Sequence, residues 1–333
     1  MVSGPEQMHA AYVESLGGTD AIRYGMLPVP RCGPGDVLLQ VEAVAVDNVD
    51  TFVRSGRFPT ALTFPFVIGR DVVGTVVGRG AEVTTPNVGD RVWCNSLGHD
   101  GRQGPTSEYT TAPADRVYSL PAGVDPVVAV AVAHPAATAH LALYTHAGLR
   151  AVETVFVAGG AGHVGSALTV MAARSGARVL VSARADDDEW CRSSGAAEVL
   201  DYTAPDLAGR LRSAAPDGID VLVDTSGRLD LATTLNLLAT RGRIVVMAGM
   251  DRQLECRAGD LYPRDRSLIG FAISNATSDE LAEAAQHVTT LLADGVLRPR
   301  NVEELPLSAA GEAHRRLEAG DARGIRLVLR PEH

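Results

Sequence analysis

The stretch that decides the fold is VFVAGGAGHVGSALTVMAARSGARVLVSAR, from Val155 to Arg184. Its apolar beginning predicts a β-strand, and the glycines that follow predict a tight turn. The amphipathic segment after the turn predicts a helix, and a second apolar run at Val179–Ala183 predicts another strand. These elements, in this order, form a β-α-β unit.

Three glycines in this stretch, Gly160, Gly162 and Gly165, fit the pattern G-x-G-x-x-G. Between a strand and a helix, this pattern is typical of sites that bind the pyrophosphate of a dinucleotide. The helix N-terminus then presents N–H groups to the anion. The alternative is that the glycines only form a turn. The residues predicted to contact the cofactor here are Gly160, Ala161, Gly162, His163 and Val164.

The end of the second strand indicates which dinucleotide binds. Enzymes that use NAD place an acid there, on the ribose 2′-hydroxyl. This chain has Ala183 and then Arg184, whose guanidinium can pair with a 2′-phosphate through two hydrogen bonds. The pair favours NADPH. The acidic run at 186–189 either begins the next helix, where acids suit the helix dipole, or folds back and weakens the phosphate site.

The rest of the chain predicts an α/β fold with two parts. The first 120 or so residues are rich in β-branched runs such as DVLLQVEAVAV and DVVGTVVGRG. Farther along, strands alternate with helices, which predicts a doubly wound parallel sheet covered on both faces. The predicted strands are 154–158, 179–183, 198–201, 220–224, 243–248, 267–273 and 325–329, and the predicted helices after the glycine turn include 187–194, 207–214, 231–238 and 279–294.

Composition excludes several classes of function. The chain is 46% apolar and 21% charged, typical of a globular protein, and it has no run of 18 apolar residues and no signal-like N-terminus. We therefore predict a cytoplasmic protein with no membrane span. The net charge of −10 without a basic block argues against nucleic acid. All 30 basic residues are arginine, so no lysine is present for a Schiff base or a P-loop.

Several further motifs extend over nearly the whole length of the chain. They are VDTFVRSGRFP (49–59), IGRDVVGTVVGRG (68–80), VGDRV (88–92), SEYTTAPADRVYSLPAG (107–123), AATAHLAL (136–143), VAGGAGHVG (157–165), GIDVLVDTSG (218–227) and GRIVVMAGM (242–250). With them the chain resembles the zinc-independent quinone oxidoreductase (ζ-crystallin-like) group of the medium-chain dehydrogenases/reductases.

The resemblance implies a GroES-like β-rich catalytic domain, formed by residues 1–123 and 274–333, and a Rossmann NADP-binding domain at 124–273. It also implies a homodimer joined along the edge strand near 267–273. The resemblance places further residues at the cofactor, and these are Thr138, Ser182, Tyr202, Ser226, Ala248, Gly249 and Ile273. The candidate catalytic residues are Asp47, Asn48, Thr51 and Phe52.

Zinc-dependent relatives have Cys where this chain has Asp47 or Asn48, and Gly-His-Glu where it has Gly69-Arg70-Asp71. A guanidinium stays protonated and cannot bind a metal. We therefore predict no metal, and we predict a structural role for His134 and His140. Without a Lewis acid, hydride delivery from NADPH to a quinone or an activated C=C is favoured over alcohol oxidation.

The substrate residues depart from the pattern of the similar reductases. Asp47 stands where they have Asn, and Phe52 and Phe58 stand where they have Tyr, so the predicted pocket is more apolar and has one added carboxyl. Burial could raise the pKa of Asp47 and make it a proton donor; alternatively, Asp47 is ionised and bonds a backbone amide. Arg54 is predicted to pair with Asp50.

Two other functions remain open at this point. One is an enoyl reductase that tailors a polyketide or another biosynthetic intermediate, which uses the same hydride chemistry. The other is a non-catalytic NADPH-binding protein with a structural or RNA-binding role, against which the charge of −10 speaks.

Overall fold

The protein is described here from a computed structural model, which covers residues 5–228 and 230–332. The chain forms two compact units. The first unit contains Met1–His134 and Leu281–His333, and the second contains Pro135–Glu280. The domain boundaries predicted from the sequence, after residues 123 and 273, stay predictions.

Sixteen strands are present in the described residues. They are β1 (Gln7–Val13), β2 (Arg23–Pro28), β3 (Asp36–Ala45), β4 (Phe66–Val67), β5 (Asp71–Arg79), β6 (Arg91–Cys94), β7 (Tyr109–Pro113), β8 (Tyr118–Ser119), β9 (Thr154–Ala158), β10 (Arg178–Ala183), β11 (Glu198–Asp201), β12 (Ile219–Asp224), β13 (Leu238–Val246), β14 (Ser267–Gly270), β15 (Val302–Pro306) and β16 (Arg326–Arg330).

Eight α-helices are present in the same part of the chain. They are α1 (Asn48–Ser55), α2 (Pro126–His140), α3 (His163–Arg174), α4 (Asp188–Ser193), α5 (Leu207–Ala214), α6 (Leu231–Leu235), α7 (Ser278–Ala293) and α8 (Ala310–Ala319). A π-helical segment, Leu141–His146, directly follows α2.

The first unit is built on a seven-stranded sheet in the order β15-β16-β3-β5-β6-β8, with β7 also paired to β3. A three-stranded sheet, β2-β1-β4, accompanies it. Every second side chain over much of β3 is buried, as its β-branched pattern predicts. The last strand, β16, pairs antiparallel with β3 through Val328 and Ala45. Both ends of the chain therefore contribute to one core.

The second unit is built on a six-stranded parallel sheet in the order β11-β10-β9-β12-β13-β14. Val155, Phe156 and Val157 of the central strand β9 are fully buried, as expected for a parallel sheet covered on both faces. The strand order reverses at β9, and such a switch point is where doubly wound sheets bind their ligands. The glycine turn follows this strand. The predicted fold class, a GroES-like β-rich part and a Rossmann sheet, is confirmed.

Two predicted elements have different bounds in the structure. The predicted helix 231–238 ends at Leu235, and Leu238 already belongs to β13, paired with Ile219 of β12. The apolar run at its end suits either a helix or a strand, and pairing with β12 decides for the strand. The predicted edge strand 267–273 ends at Gly270, before a 3₁₀ turn at Ile273–Asn275. Dimerisation along this edge stays a prediction.

One helical segment, Pro126–His146, is long and apolar enough to cross a membrane by length and composition alone. Its most apolar stretch of 18 residues has a mean hydropathy of 1.5, and 89% of this stretch is buried inside the protein. Helices in a protein core are apolar on all sides, and burial therefore accounts for this composition. The cytoplasmic location stays a prediction.

Central strand β9 provides a test of the core of the second unit. We expect Phe156→Ala to lower the free energy of unfolding by about 3–5 kcal/mol, because it removes a fully buried ring from a packed site. Tyr262→Ala is the control in the same unit, because that ring is 74% exposed, and it should change stability by at most about 0.5 kcal/mol. Urea unfolding measures both, and equal losses would contradict the assignment of β9 to the core.

Candidate active site

The glycine turn after β9 is shaped by close backbone packing. A Cβ added to Gly165 would lie 2.1 Å from the carbonyl oxygen of Gly159, so only glycine lets α3 approach the turn this closely. The third glycine of the motif therefore allows close packing of the helix on the turn. The left-handed residue of the turn is Gly159, with φ +86°, rather than Gly160. Gly160 is constrained instead by the Val181 side chain, 2.5 Å from a Cβ there.

The turn leaves the N-terminus of α3 open. Gly162 is the exposed N-cap residue, with extended backbone, and His163 and Val164 begin the helix. The first N–H groups of a helix lack partners within the helix and, with the helix dipole, favour an anion. The turn therefore fits the pyrophosphate of a dinucleotide.

Arg184 and Tyr202 come together at the ends of two neighbouring strands. Ala183 of β10 pairs with Asp201 of β11, so the residues that follow each strand lie side by side. The Nε–H of Arg184 donates to the hydroxyl of Tyr202 over 2.9 Å. Arg184 is exposed, and within the described residues Nε is the only nitrogen of its side chain with a hydrogen bond. The remaining N–H groups can bind a phosphate.

The acidic run after Arg184 begins a helix, which was one of the two alternatives. A 3₁₀ turn spans Ala185–Asp187, and α4 starts at Asp188. Asp188 accepts a hydrogen bond from Arg192, four residues on, over 2.8 Å. Asp187 is buried.

The other cofactor candidates of the second unit lie mostly where parallel strands end. The hydroxyl of Ser182 accepts the N–H of Gly159 over 3.2 Å, which joins β10 to the turn. The hydroxyl of Ser226, after β12, donates to Asp224 over 2.7 Å. Gly249 packs on Gly227, since a Cβ added to Gly227 would lie 2.7 Å from the backbone nitrogen of Gly249. Ala248 precedes Gly249 after β13, Ile273 follows β14, and Thr138 is buried in α2.

In the first unit, two buried carboxylates contact one buried guanidinium, and a buried histidine contacts one of these carboxylates. Arg326 of β16 contacts Asp47 over 2.8 Å and Asp71 over 3.4 Å. Nδ1 of His134 lies 3.1 Å from Oδ1 of Asp71. We call Asp47, Asp71, His134 and Arg326 the buried charge cluster. Asp50, one turn into α1, adjoins it and accepts the N–H of Asp47 over 2.8 Å.

The members of the buried charge cluster differ in their affinity for protons. Burial raises the pKa of Asp47, but the charges of Arg326 and His134 outweigh burial and hold it below its usual range. Burial and the negative charge of Asp47 raise the pKa of Asp71 well above its usual range. Burial lowers the pKa of His134, but Asp71 and Asp47 outweigh it and raise the pKa to about 9.

The candidate substrate residues around α1 have mixed exposure. Asn48 is exposed, whereas Thr51 is buried and its hydroxyl donates to the carbonyl of Asn48 over 2.8 Å. The ring of Phe52 is partly buried under the guanidinium of Arg57, 4.9 Å from the ring centroid. The Phe58 ring packs on His99, with centroids 5.7 Å apart. The apolar pocket predicted from Phe52 and Phe58 stays a prediction.

Comparison with known proteins supports this description. Residues 33–122 match the alcohol dehydrogenase GroES-like domain, and residues 194–329 match a domain described as zinc-binding dehydrogenase. The quinone oxidoreductase of Mus musculus is 29% identical over 336 residues, 99% of this chain and 99% of that protein. The quinone oxidoreductase of Sus scrofa is 31% identical over 319 residues, 94% of this chain and 95% of that protein. The chain belongs to the quinone oxidoreductase family of medium-chain dehydrogenases/reductases.

The solved structures agree with the sequence relatives. A mycobacterial protein was solved in complex with NADPH. It is 31% identical to the present chain, with a TM-score of 0.84, and the match covers 97% of the present chain and 100% of the mycobacterial one. The predicted resemblance is therefore confirmed, and the protein is an oxidoreductase of the quinone oxidoreductase type.

The wider family implies zinc, and the first unit can be tested for its fit. Ligand-type atoms of Asp47, Asp71 and His134 lie within 4.8 Å of one another. However, the guanidinium of Arg326 already contacts both carboxylates, and Arg70 is buried where zinc-dependent relatives have a histidine. A zinc ion at this place would face two fixed positive charges. The residues of this family member do not fit zinc.

For the first unit, one open alternative is decided and one prediction is wrong. Asp47 does not gain a raised pKa, because Arg326 pairs with it; of the two alternatives, the ionised one holds, with a guanidinium as partner. Arg54 does not pair with Asp50. Its guanidinium contacts Glu318 of α8, while Asp50 caps α1.

Sequence reasoning missed His134 and Arg326. His134 was predicted to be structural, yet it contacts Asp71, 63 residues away in the chain. Arg326 contacts Asp71 from 255 residues away. No local pattern carries either contact. The replacement of a zinc-ligand motif by charged residues was the one available signal.

Asp50 gives this site a pH dependence that can be measured. Burial and the charge of Asp47 raise the pKa of Asp50 to about 7. A carboxyl whose pKa is raised on folding stabilises the fold when protonated, and this contribution is lost as the pH rises from about 4 through about 7. We therefore expect the free energy of unfolding of the wild type, relative to Asp50→Asn, to fall over this range by a few kcal/mol, at about 1.4 kcal/mol per pKa unit.

Asparagine keeps an oxygen that can accept the N–H of Asp47, so the variant should fold. Asp90→Asn is the matched control, because exposed Asp90 accepts the N–H of Asn87 over 2.8 Å in the same three-residue spacing. Chemical unfolding from pH 4 to 8 measures all three proteins. Parallel stability curves for the wild type and Asp50→Asn would contradict the raised pKa.

Proposed function

We propose that this protein is a zinc-independent, NADPH-dependent reductase that delivers hydride to a quinone or to an activated C=C of an α,β-unsaturated carbonyl compound. The observation that carries the proposal is the contact between Arg184 and Tyr202 at the end of β10 and β11. An acid at this position would bind the ribose hydroxyl of NAD, whereas an exposed guanidinium held by a hydroxyl suits a 2′-phosphate.

The second unit supplies the cofactor site of this proposal. The N-terminus of α3 and the turn from Gly160 to Val164 hold the pyrophosphate, while Arg184 and Tyr202 hold the 2′-phosphate. Ser182, Ser226 and Gly249 shape the strand ends around them. When bound, NADPH supplies a hydride to the acceptor.

The first unit supplies the acceptor site. Phe52 and Phe58 offer apolar surface to a ring, and Asn48 and Thr51 offer polar groups beside it. Because the residues do not fit zinc, an acceptor that is already electrophilic is favoured over an alcohol. A quinone meets this requirement, as does an alkene conjugated to a carbonyl group.

A second candidate is an enoyl reductase for one biosynthetic intermediate. Phenylalanine at positions 52 and 58, where similar reductases have tyrosine, favours an apolar acceptor over a hydroxylated one. The chemistry of hydride transfer is the same, so the two candidates differ only in the preferred acceptor.

The experiment that tests the proposed function is an absorbance assay of NADPH and NADH oxidation with a small quinone, an α,β-unsaturated ketone and an enoyl thioester. We expect turnover that prefers NADPH and that is unchanged by a chelator. The best acceptor decides between quinone reduction and alkene reduction. NADPH binding without turnover on any acceptor would contradict the proposal, and loss of activity with a chelator would contradict its zinc-free form.

Removing the guanidinium of Arg184 tests the cofactor preference. We expect Arg184→Ala to raise the KM for NADPH by about 10–100-fold, since a hydrogen bond to a charged group is worth about 1.5–3 kcal/mol. The KM for NADH should stay the same, because NADH has no 2′-phosphate. Arg192→Ala is the control, as exposed Arg192 pairs with Asp188 in the same region. Equal changes for both cofactors would show that Arg184 does not read the phosphate.

A further inference from the structure

Hydride transfer alone does not complete the reduction that we propose. The acceptor gains two electrons and one hydrogen nucleus, and its carbonyl oxygen becomes negatively charged. One proton must then bond to the acceptor, at oxygen for a quinone or at carbon for an enolate. A group that holds a proton at neutral pH inside the first unit would supply it.

The buried charge cluster holds such a proton by its geometry. Asp71 is fully buried, and its Oδ1 lies 3.1 Å from Nδ1 of His134, which is a hydrogen-bond distance. Oδ2 of Asp47 is also buried and has no hydrogen-bond partner among the described residues. Two carboxyl groups this close to one another do not both ionise readily. The cluster therefore retains protons that separate aspartates would lose.

Ionisable groups from several elements face Asp71 and His134. Asp47 is the N-cap of α1, Asp50 lies in its first turn, Arg70 directly precedes Asp71 at the start of β5, and the buried thiol of Cys94 belongs to β6. His134 belongs to α2, and Arg326 belongs to β16. Arg326 contacts Asp47 more closely than Asp71, so it stabilises the negative charge on Asp47. The proton remains on Asp71 and His134.

We propose that Asp71 and His134 form a proton store that protonates the reduced acceptor, and that ionised Asp47, fixed by Arg326, keeps the proton on this pair. The proposal rests on the proposed reductase function and identifies the source of its proton. Asp47 and His134 are each 7% exposed, whereas Asp71 is fully enclosed, so the store reaches the surface of the first unit through these two residues. Asp47 directly precedes Asn48 and lies near Thr51, two of the candidate substrate residues.

One proton passes from the store to the reduced acceptor. A bond between hydrogen and nitrogen or oxygen of the store breaks, and an O–H bond of the hydroquinone, or a C–H bond of the saturated product, forms. The acceptor loses its negative charge, and the store becomes more negative by one unit. Water returns a proton to the store before the next turnover. NADPH is oxidised, and the acceptor is reduced.

The charge state of the store can be measured without any substrate. NMR of the wild type with labelled histidine should show one imidazole that titrates near pH 9, because Asp71 and Asp47 raise the pKa of His134. The signal is assigned by its loss in His134→Gln. Asp47→Asn should move the same titration to lower pH, because it removes a negative charge that favours the imidazolium. An ordinary imidazole titration for His134, or no shift in Asp47→Asn, would overturn the proposal.

The catalytic use of the store is tested by the pH dependence of kcat with the best acceptor. In the wild type, kcat should fall as the pH rises through about 9, when the store loses its proton. His134→Gln should lower kcat by about 10²-fold at neutral pH, the lower range for acid–base catalysis, and should abolish the fall near pH 9. A KM close to that of the wild type would show that the acceptor still binds.

His314→Gln is the matched control, because His314 is also buried in the first unit, while burial and nearby Arg54 lower its pKa to about 3. It should leave kcat and its pH profile unchanged. A wild-type profile in His134→Gln would overturn the proton store, and so would a stoichiometric metal ion whose removal restores an ordinary titration of His134. Failure of the proposed function is distinct, since no acceptor would then be reduced while the NMR titration could still be measured.

Discussion

The guanidinium of Arg326 between Asp47 and Asp71 is the interaction on which the site in the first unit depends. Three ionisable side chains are buried around it, and buried charges are costly unless they are paired. Because Arg326 lies on the last strand of the sheet, the pairing of β16 with β3 delivers the positive charge that these carboxylates need. The charge state of the site therefore depends on the pairing of β16 with β3.

The second unit could be predicted from the sequence almost element by element. Its central strands are buried on both faces and appear as short apolar runs, such as Thr154–Ala158, between glycines and polar turns. The glycine turn is equally local, because Gly165 and Gly159 meet within one turn of chain. The end of α6 could not be predicted in this way. There Leu237 and Leu238 form hydrogen bonds and pairs with β12, a strand that comes earlier in the chain.

The cofactor part of the candidate site, at Arg184, could be predicted from the sequence better than the part around Asp47. Arg184 was identified from its place after a strand, and its partner Tyr202 follows the neighbouring strand of the sheet. The pKa of Asp47, in contrast, depends on an arginine that no spacing connects to it. Burial alone would have raised this pKa, so the sequence predicts the wrong direction whenever the partner is unknown. Contacts between distant segments decide electrostatics, and periodicity carries no information about them.

Zinc and the buried charge cluster solve the electrostatics of a reduction in different ways. A metal ion offers a fixed positive charge that can stabilise an oxygen anion directly. The cluster offers one fixed charge, Arg326, and one charge that leaves with a proton, on His134 and Asp71. In this chain Asp47 and Arg70 stand at the positions of zinc ligands, and the fixed charge of Arg326 stabilises the buried carboxylates. In the reaction that we propose, the oxygen anion of the reduced acceptor is then neutralised by a proton rather than by a metal, and acceptors that take up hydride without prior activation are favoured.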